Sequence, residues 1–200
     1  MRLTQVRETA PEIRAERVAA AFRQAPAGVA ATVVNAALMT AVLVAAGHDP
    51  RTLAWLGVVL AAAALRLGVW WAYRRRGAAP DRPGRWGAAN ACATAAAGLL
   101  WGGGAAWLWP ASESYRLFWV FVVGGMCMGT ATLHHAHLPT ALAFILLAGA
   151  PVAARLAADG TGQSLAGAAM IAVFLAVMAV SSVRSSAHFG IMSSPKTVNM

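Results

Sequence analysis

Six times along this chain a stretch of roughly bilayer length passes with at most one charged residue: 28–47, 53–73, 86–109, 117–133, 140–158 and 164–182. A helix rises about 1.5 Å per residue, so about twenty residues cover the roughly 30 Å of hydrocarbon in a bilayer. Hydrocarbon offers peptide groups no hydrogen-bond partner, so each stretch has to satisfy its own backbone as a helix. The expected fold is therefore all-α: a polytopic membrane bundle of six transmembrane helices. Composition argues against a water-soluble alternative. Hydrophobic residues make up 59% of the 200 and charged residues only 12%, against roughly 25% charged in soluble domains.

The charges that remain are sorted by position. Arg2, Arg7, Arg14, Arg17 and Arg23 precede the first span, Arg74, Arg75, Arg76, Arg82 and Arg85 fill the second loop, and Arg184 and Lys196 follow the last span. The alternate loops carry one each, at Arg51, Arg116 and Arg155. Positive residues concentrate on the cytoplasmic side, which predicts that both termini are cytoplasmic. The net charge of +9 is then a topology and lipid-headgroup signal, and no nucleic-acid partner is expected. Arginine-rich, alanine-rich usage suits a bacterial chain, and the expected location is the inner membrane. The first 25 residues are polar and charged, without the short apolar region of a cleavable signal, so the first span is expected to stay in the membrane.

Three regions follow: 1–27 as a cytoplasmic juxtamembrane helix, 28–182 as the six-helix module, and 183–200 as a short cytoplasmic tail. In the first, Thr9 and Glu12 have capping-box spacing, and Val18, Ala21 and Phe22 form an apolar stripe. That helix either lies on the anionic leaflet or is a solvated flank, and Pro26 and Gly28 are expected to break it before the first span. Gly98 with Gly102, and Gly125 with Gly129, stand four apart, as residues do where helices approach closely. Trp55, Trp107, Trp109, Tyr115 and Trp119 are expected at the outer interface, and Trp70, Trp71, Tyr73 and Trp86 at the inner one. Cys92 and Cys127 are expected at similar depth on successive helices, as packing residues or as a pair.

The segment GGMCMGTATLHHAHLPTA, residues 124–141, looks most like chemistry. Its cluster of soft ligands dissolves on a helix. His134 lies about 10 Å along the axis from Cys127 at 1.5 Å per residue, whereas metal–ligand bonds are about 2.0–2.3 Å. Pro139 disfavours helix at Leu138, so His134, His135 and His137 are expected in a short cytoplasmic turn, protonatable near neutrality. No metal or other cofactor is expected, and a haem would need histidines at matched depth that the chain lacks. Arg66 is the one charge well inside a span. An intramembrane ionisable group is a functional candidate by default, while a long side chain two turns from Arg74 can instead snorkel to the headgroups. Arg66, His134, His135 and His137 are thus the candidate signal-sensing or ligand-binding residues. None of the seven carboxylates lies in a span, and no phosphate loop, HExxH or GxSxG motif occurs. No catalytic residue is assigned, and an enzyme is not expected.

Four stretches in order, ERVAAAFRQAPAGVAATVVNAALMTAVL (16–43), LAWLGVVLAAAALRLGVWWAYRRR (53–76), GLLWGGGAAWLWP (98–110) and FVVGGMCMGTATLHHAHLPTALAFILLAGAPVAARL (121–156), resemble one another's counterparts in a known family. The likeness is to the N-terminal six-helix membrane input region of bacterial signalling proteins that carry GGDEF diguanylate cyclase, EAL phosphodiesterase, PAS or histidine kinase outputs. It rests on the FRQ-x-P opening, the arginine near the inner end of the second span, the LLWG and GGM-x-x-G stretches, and the proline of the fifth span. The resemblance implies a membrane sensory or regulatory module, here without an output motif in its last residues. Its implied partners are the lipid bilayer, a second copy, or full-length signalling relatives. A small transporter or channel, or a truncated remnant, are the alternatives; the missing intramembrane carboxylates and inverted repeat weigh against transport.

Overall fold

The computed structural model describes residues 10–47, 49–76, 83–133 and 138–192. Among the described residues there are six helices and no strand: α1 (Ala10–Gly47), α2 (Pro50–Arg76), α3 (Pro83–Trp107), α4 (Glu113–Leu133), α5 (Leu138–Asp159) and α6 (Gly162–Met192). Each expected span falls on one helix. Five of them, all but α3, are long and apolar enough to cross a membrane. Large apolar side chains such as Phe121 (80% exposed), Met170 and Leu65 cover the outside of the bundle, as they do where lipid is the solvent. Five of the six expected spans thus fall on helices with the length and apolarity of a crossing. The sixth expected span, on α3, is diluted by glycine and alanine and by Asn90 and Thr94, which are both buried.

Local chemistry sets the helix ends. The Asp49 carboxylate accepts a hydrogen bond from the Arg51 backbone N–H at 2.9 Å, and Pro50 occupies the first helical position, where its missing donor costs nothing. The Arg51 side chain returns to the same carboxylate (Nε to Oδ2, 2.9 Å) and holds the Asp49 carboxyl below the usual carboxylate range. Between α5 and α6, Gly160 takes φ +71°, a left-handed conformation natural to glycine. Thr161 then accepts the Ser164 N–H at 3.1 Å and caps α6.

The break expected at Pro26 and Gly28 does not occur; α1 runs through Pro26 without interruption. Packing explains it. Val18, Ala21, Phe22, Ala25 and Val29 are all buried and form one continuous helical stripe. Phe22 stacks on Tyr73 of α2 with centroids 4.0 Å apart and meets Trp86 of α3 edge-on at 6.1 Å. The stripe is real, but it rests on the bundle, not on a leaflet. Nearby, Arg74 and Arg75 place their guanidinium groups over the rings of Trp70 and Trp71, at 5.1 and 3.7 Å.

Helix α5 is the axis of the packing: α3 and α6 make their most extensive contacts with it. Its buried positions Thr140, Ala141, Phe144, Ile145, Ala148, Gly149, Val152 and Leu156 repeat every three or four residues. The glycines of α3 allow the approach. A Cβ at Gly98 would sit 3.0 Å from the Phe144 carbonyl oxygen, and one at Gly102 would collide with the Leu147 carbonyl oxygen and come within 2.8 Å of the Pro151 ring. Pro151 has no N–H to give Leu147, so the bare carbonyl faces the helix that comes closest. The second glycine pair behaves differently: nothing lies within 4 Å of a Cβ built at Gly125 or Gly129.

Tryptophans also take part in the packing. Trp55 and Trp119 do not face outward; they are buried with Trp101 in a three-ring cluster, at centroid separations of 5.2, 5.5 and 6.3 Å. The Trp55 indole N–H donates to the Leu100 carbonyl at 2.9 Å. Trp107, by contrast, is half exposed. Cys92 is exposed and Cys127 buried, both as free thiols.

Candidate functional site

Arg66 sits two-thirds of the way along α2, on the same stripe as Trp55, Val59 and Ala63, and is 7% exposed. A snorkelling side chain would lie along the outside of the bundle; this one is packed inside it. Gly28 of α1 gives it room. The guanidinium nitrogens stand 3.6 and 3.9 Å from where a Gly28 Cβ would be. One turn further along α1, Thr32 is buried and donates its hydroxyl to the Gly28 carbonyl at 2.9 Å, so the polar hydroxyl is satisfied without leaving the site.

Two spaces adjoin the guanidinium. A small gap opens toward α3, against Ala97, Leu100 and Trp101. A larger cavity of about 200 Å³ opens between α1 and α4, with Thr32 and Asn35 on one wall, Gly125, Gly129 and Thr130 on the other, and Phe144 of α5 at the back. Gly125 and Phe121 on its rim are exposed on the side of the bundle. The glycine pair that the spacing assigned to helix packing therefore serves to keep this cavity open. A cationic, multiply donating group at the wall of such a space favours an anion with planar acceptor geometry.

A second feature lies around α6. This helix packs on α5 and only grazes α4, leaving a groove of about 330 Å³ whose floor is Gly149, Val152 and Leu156. Ile171 and Phe174 form one side and Val120 and Val123 the other, with Glu113, Arg116 and Gln163 at one end. At that end Arg116 bridges to Asp159 at 2.9 Å and donates from Nε to the Pro110 carbonyl at 2.7 Å. Trp109 donates to the same Asp159 oxygen at 3.3 Å, and Arg155 lies over its ring at 5.7 Å. In the loop-charge pattern Arg116 and Arg155 are topology markers alone; in the fold they form a clamp that ties the start of α4 to the end of α5. Nothing in the spacing of Trp109, Arg116 and Asp159 signals that contact.

His134, His135 and His137 lie outside the described residues; α5 already begins at Leu138, so Pro139 does not keep Leu138 out of the helix, and Pro139 itself stands in the first turn, where it needs no N–H. Among the described residues no three His, Cys, Asp or Glu side chains come together in a way that could hold a metal ion. Cys127 faces the Ile145 carbonyl at 3.9 Å, a packing position with a weak sulfur contact. Set against known proteins, the chain matches no family model, and no curated protein or solved structure is significantly similar to it.

Proposed function

We propose that this chain is a six-crossing sensory or regulatory module of the bacterial inner membrane, with both ends in the cytoplasm and no catalysis of its own. The observation that carries the reading is the attachment of α6. That helix is 31 residues long, about 46 Å at 1.5 Å per residue, and so outruns the hydrocarbon. It leans on a single neighbour across a groove of ligand size. Such a helix can slide or tilt on α5 at little cost in buried surface and carry the displacement out of the membrane.

Six crossings are favoured by the direction in which α3 turns its residues. Ala88, Cys92, Ala96, Leu99, Gly103, Ala106 and Trp107 are exposed and form one stripe at helical spacing, without a charged or strongly polar member. From 88 to 107 that stripe is about 28 Å long, close to the hydrocarbon thickness. Asn90 and Thr94 face inward, and they lower the apolarity of α3 without meeting lipid. The asymmetric arginines then favour cytoplasmic ends. The reader of the displacement would be a second copy or a full-length signalling relative, as the resemblance to GGDEF- and EAL-linked input regions implies.

The test is reconstitution of the full chain in liposomes and nanodiscs with a panel of small amphiphiles. Hydrogen exchange in α6 should change with at least one ligand, and encapsulated solutes should be retained. Solute flux with no ligand-linked change in α6 would assign the bundle to transport instead.

A further inference from the structure

We infer that the cavity between α1 and α4 is a binding site for a single-chain anionic amphiphile, whose carboxylate is held by Arg66 and whose chain lies along α4. The inference goes beyond a signalling role and stands or falls separately from it.

Three observations converge. The first is charge in the right place: Arg66, as a residue 7% exposed, sets its guanidinium against Gly28 at the cavity wall. Guanidinium groups grip carboxylates through paired parallel hydrogen bonds. The second is shape. On α4 the lining runs from Phe121 to Leu133 and on α1 from Gly28 to Asn35. Twelve residues of α4 cover about 18 Å, so the space is a slot that suits a chain, not a compact solute. Its walls carry Phe121, Met126, Leu133 and Phe144 for methylene groups, with Thr32, Asn35 and Thr130 as the polar members. The third is access. Phe121 and Gly125 open on the bundle's outer surface, and both helices are apolar enough to span a membrane. A ligand would therefore enter sideways, from the lipid. At about 200 Å³ the slot is below the roughly 300–1,000 Å³ of drug-sized pockets, which favours one acyl chain with a small head over a two-chain phospholipid.

The glycines supply a clean probe. Gly129 lines the slot and nothing lies within 4 Å of a Cβ built on it, so Gly129→Leu sends a side chain into the slot from a position with room for its first carbon. The full chain in phosphatidylcholine nanodiscs is irradiated with a diazirine-bearing palmitate, and the labelled peptides are mapped by mass spectrometry. Label should concentrate on residues 28–35 and 121–133. Gly129→Leu and Arg66→Gln should each reduce it at least tenfold, with circular dichroism confirming that both variants are folded. Excess palmitate should compete, and palmityl alcohol should not. If Arg66→Gln does not fold, Gly129→Leu alone decides. Label spread evenly over the lipid-facing helices, or unchanged by Gly129→Leu, would overturn the site. Competition by phosphatidylglycerol as strong as that by palmitate would give the site to a lipid phosphate and overturn the carboxylate assignment. Labelling as expected without any change in α6 exchange would leave the binding site standing and remove only its link to signalling.

Discussion

Glycines in this chain differ by what a methyl group would meet, and one substitution made at three of them should give opposite signs. At Gly104 a new Cβ would run into the Trp55 indole nitrogen, and at Gly102 into the Leu147 carbonyl oxygen. Gly102→Ala and Gly104→Ala should each cost about 1–3 kcal/mol, as overpacking does in a filled core. Gly102 should be the less forgiving, because backbone cannot rotate aside. At Gly125 the same methyl enters open space, and Gly125→Ala should gain about 0.5–1 kcal/mol from helix propensity. Unfolding of the three variants in detergent reads the contrast directly. The sequence could not separate these cases. Gly98 and Gly102 have the same spacing as Gly125 and Gly129, and only the neighbouring helix decides whether the gap is packed or empty. Arg66 was legible as a charge among apolar residues, whereas the cavity beside it depends on which faces of α1 and α4 meet.

At the scale of elements, the helices themselves were legible, because bilayer-length apolar runs admit one secondary structure. Their relations were not. The stripe of Val18, Ala21 and Phe22 was evident, yet nothing in it says whether lipid or Tyr73 covers it. Apolarity averaged along α3 hides that Asn90 and Thr94 point inward while Cys92 and Leu99 point out. The clamp between α4 and α5 was equally silent, since Arg116 and Asp159 are 43 residues apart. Both partners are largely buried, with side chains 22% and 17% exposed, and Asp159 also accepts from Trp109. Asp159→Ala should therefore cost about 1.5–3 kcal/mol, the range for hydrogen bonds to a charged group. A double-mutant cycle with Arg116→Ala should recover coupling between the two. Amide exchange in detergent should rank the helices in the order of their packing: α3 and α5 slowest, and α6, held by one neighbour, fastest.

For the whole molecule, every functional reading turns on the topology, and so on whether α3 crosses. With α3 crossing, twelve of the sixteen lysines and arginines lie on one side and three on the other, with Arg66 between, and the slot, the groove and the long α6 all fall within a closed bundle in lipid. Without α3 crossing, five crossings would put the two ends on opposite sides: the two arginine-rich segments, before α1 and between α2 and α3, would stay together, while Arg184 and Lys196 would move to the other compartment. Paired reporters at the N-terminus and the C-terminus of the intact chain, one active only in the periplasm and one only in the cytoplasm, distinguish the two directly. Six crossings oriented by the arginines predict cytoplasmic reporter activity at both ends; ends on opposite sides would contradict the six crossings, and two periplasmic ends would contradict the orientation.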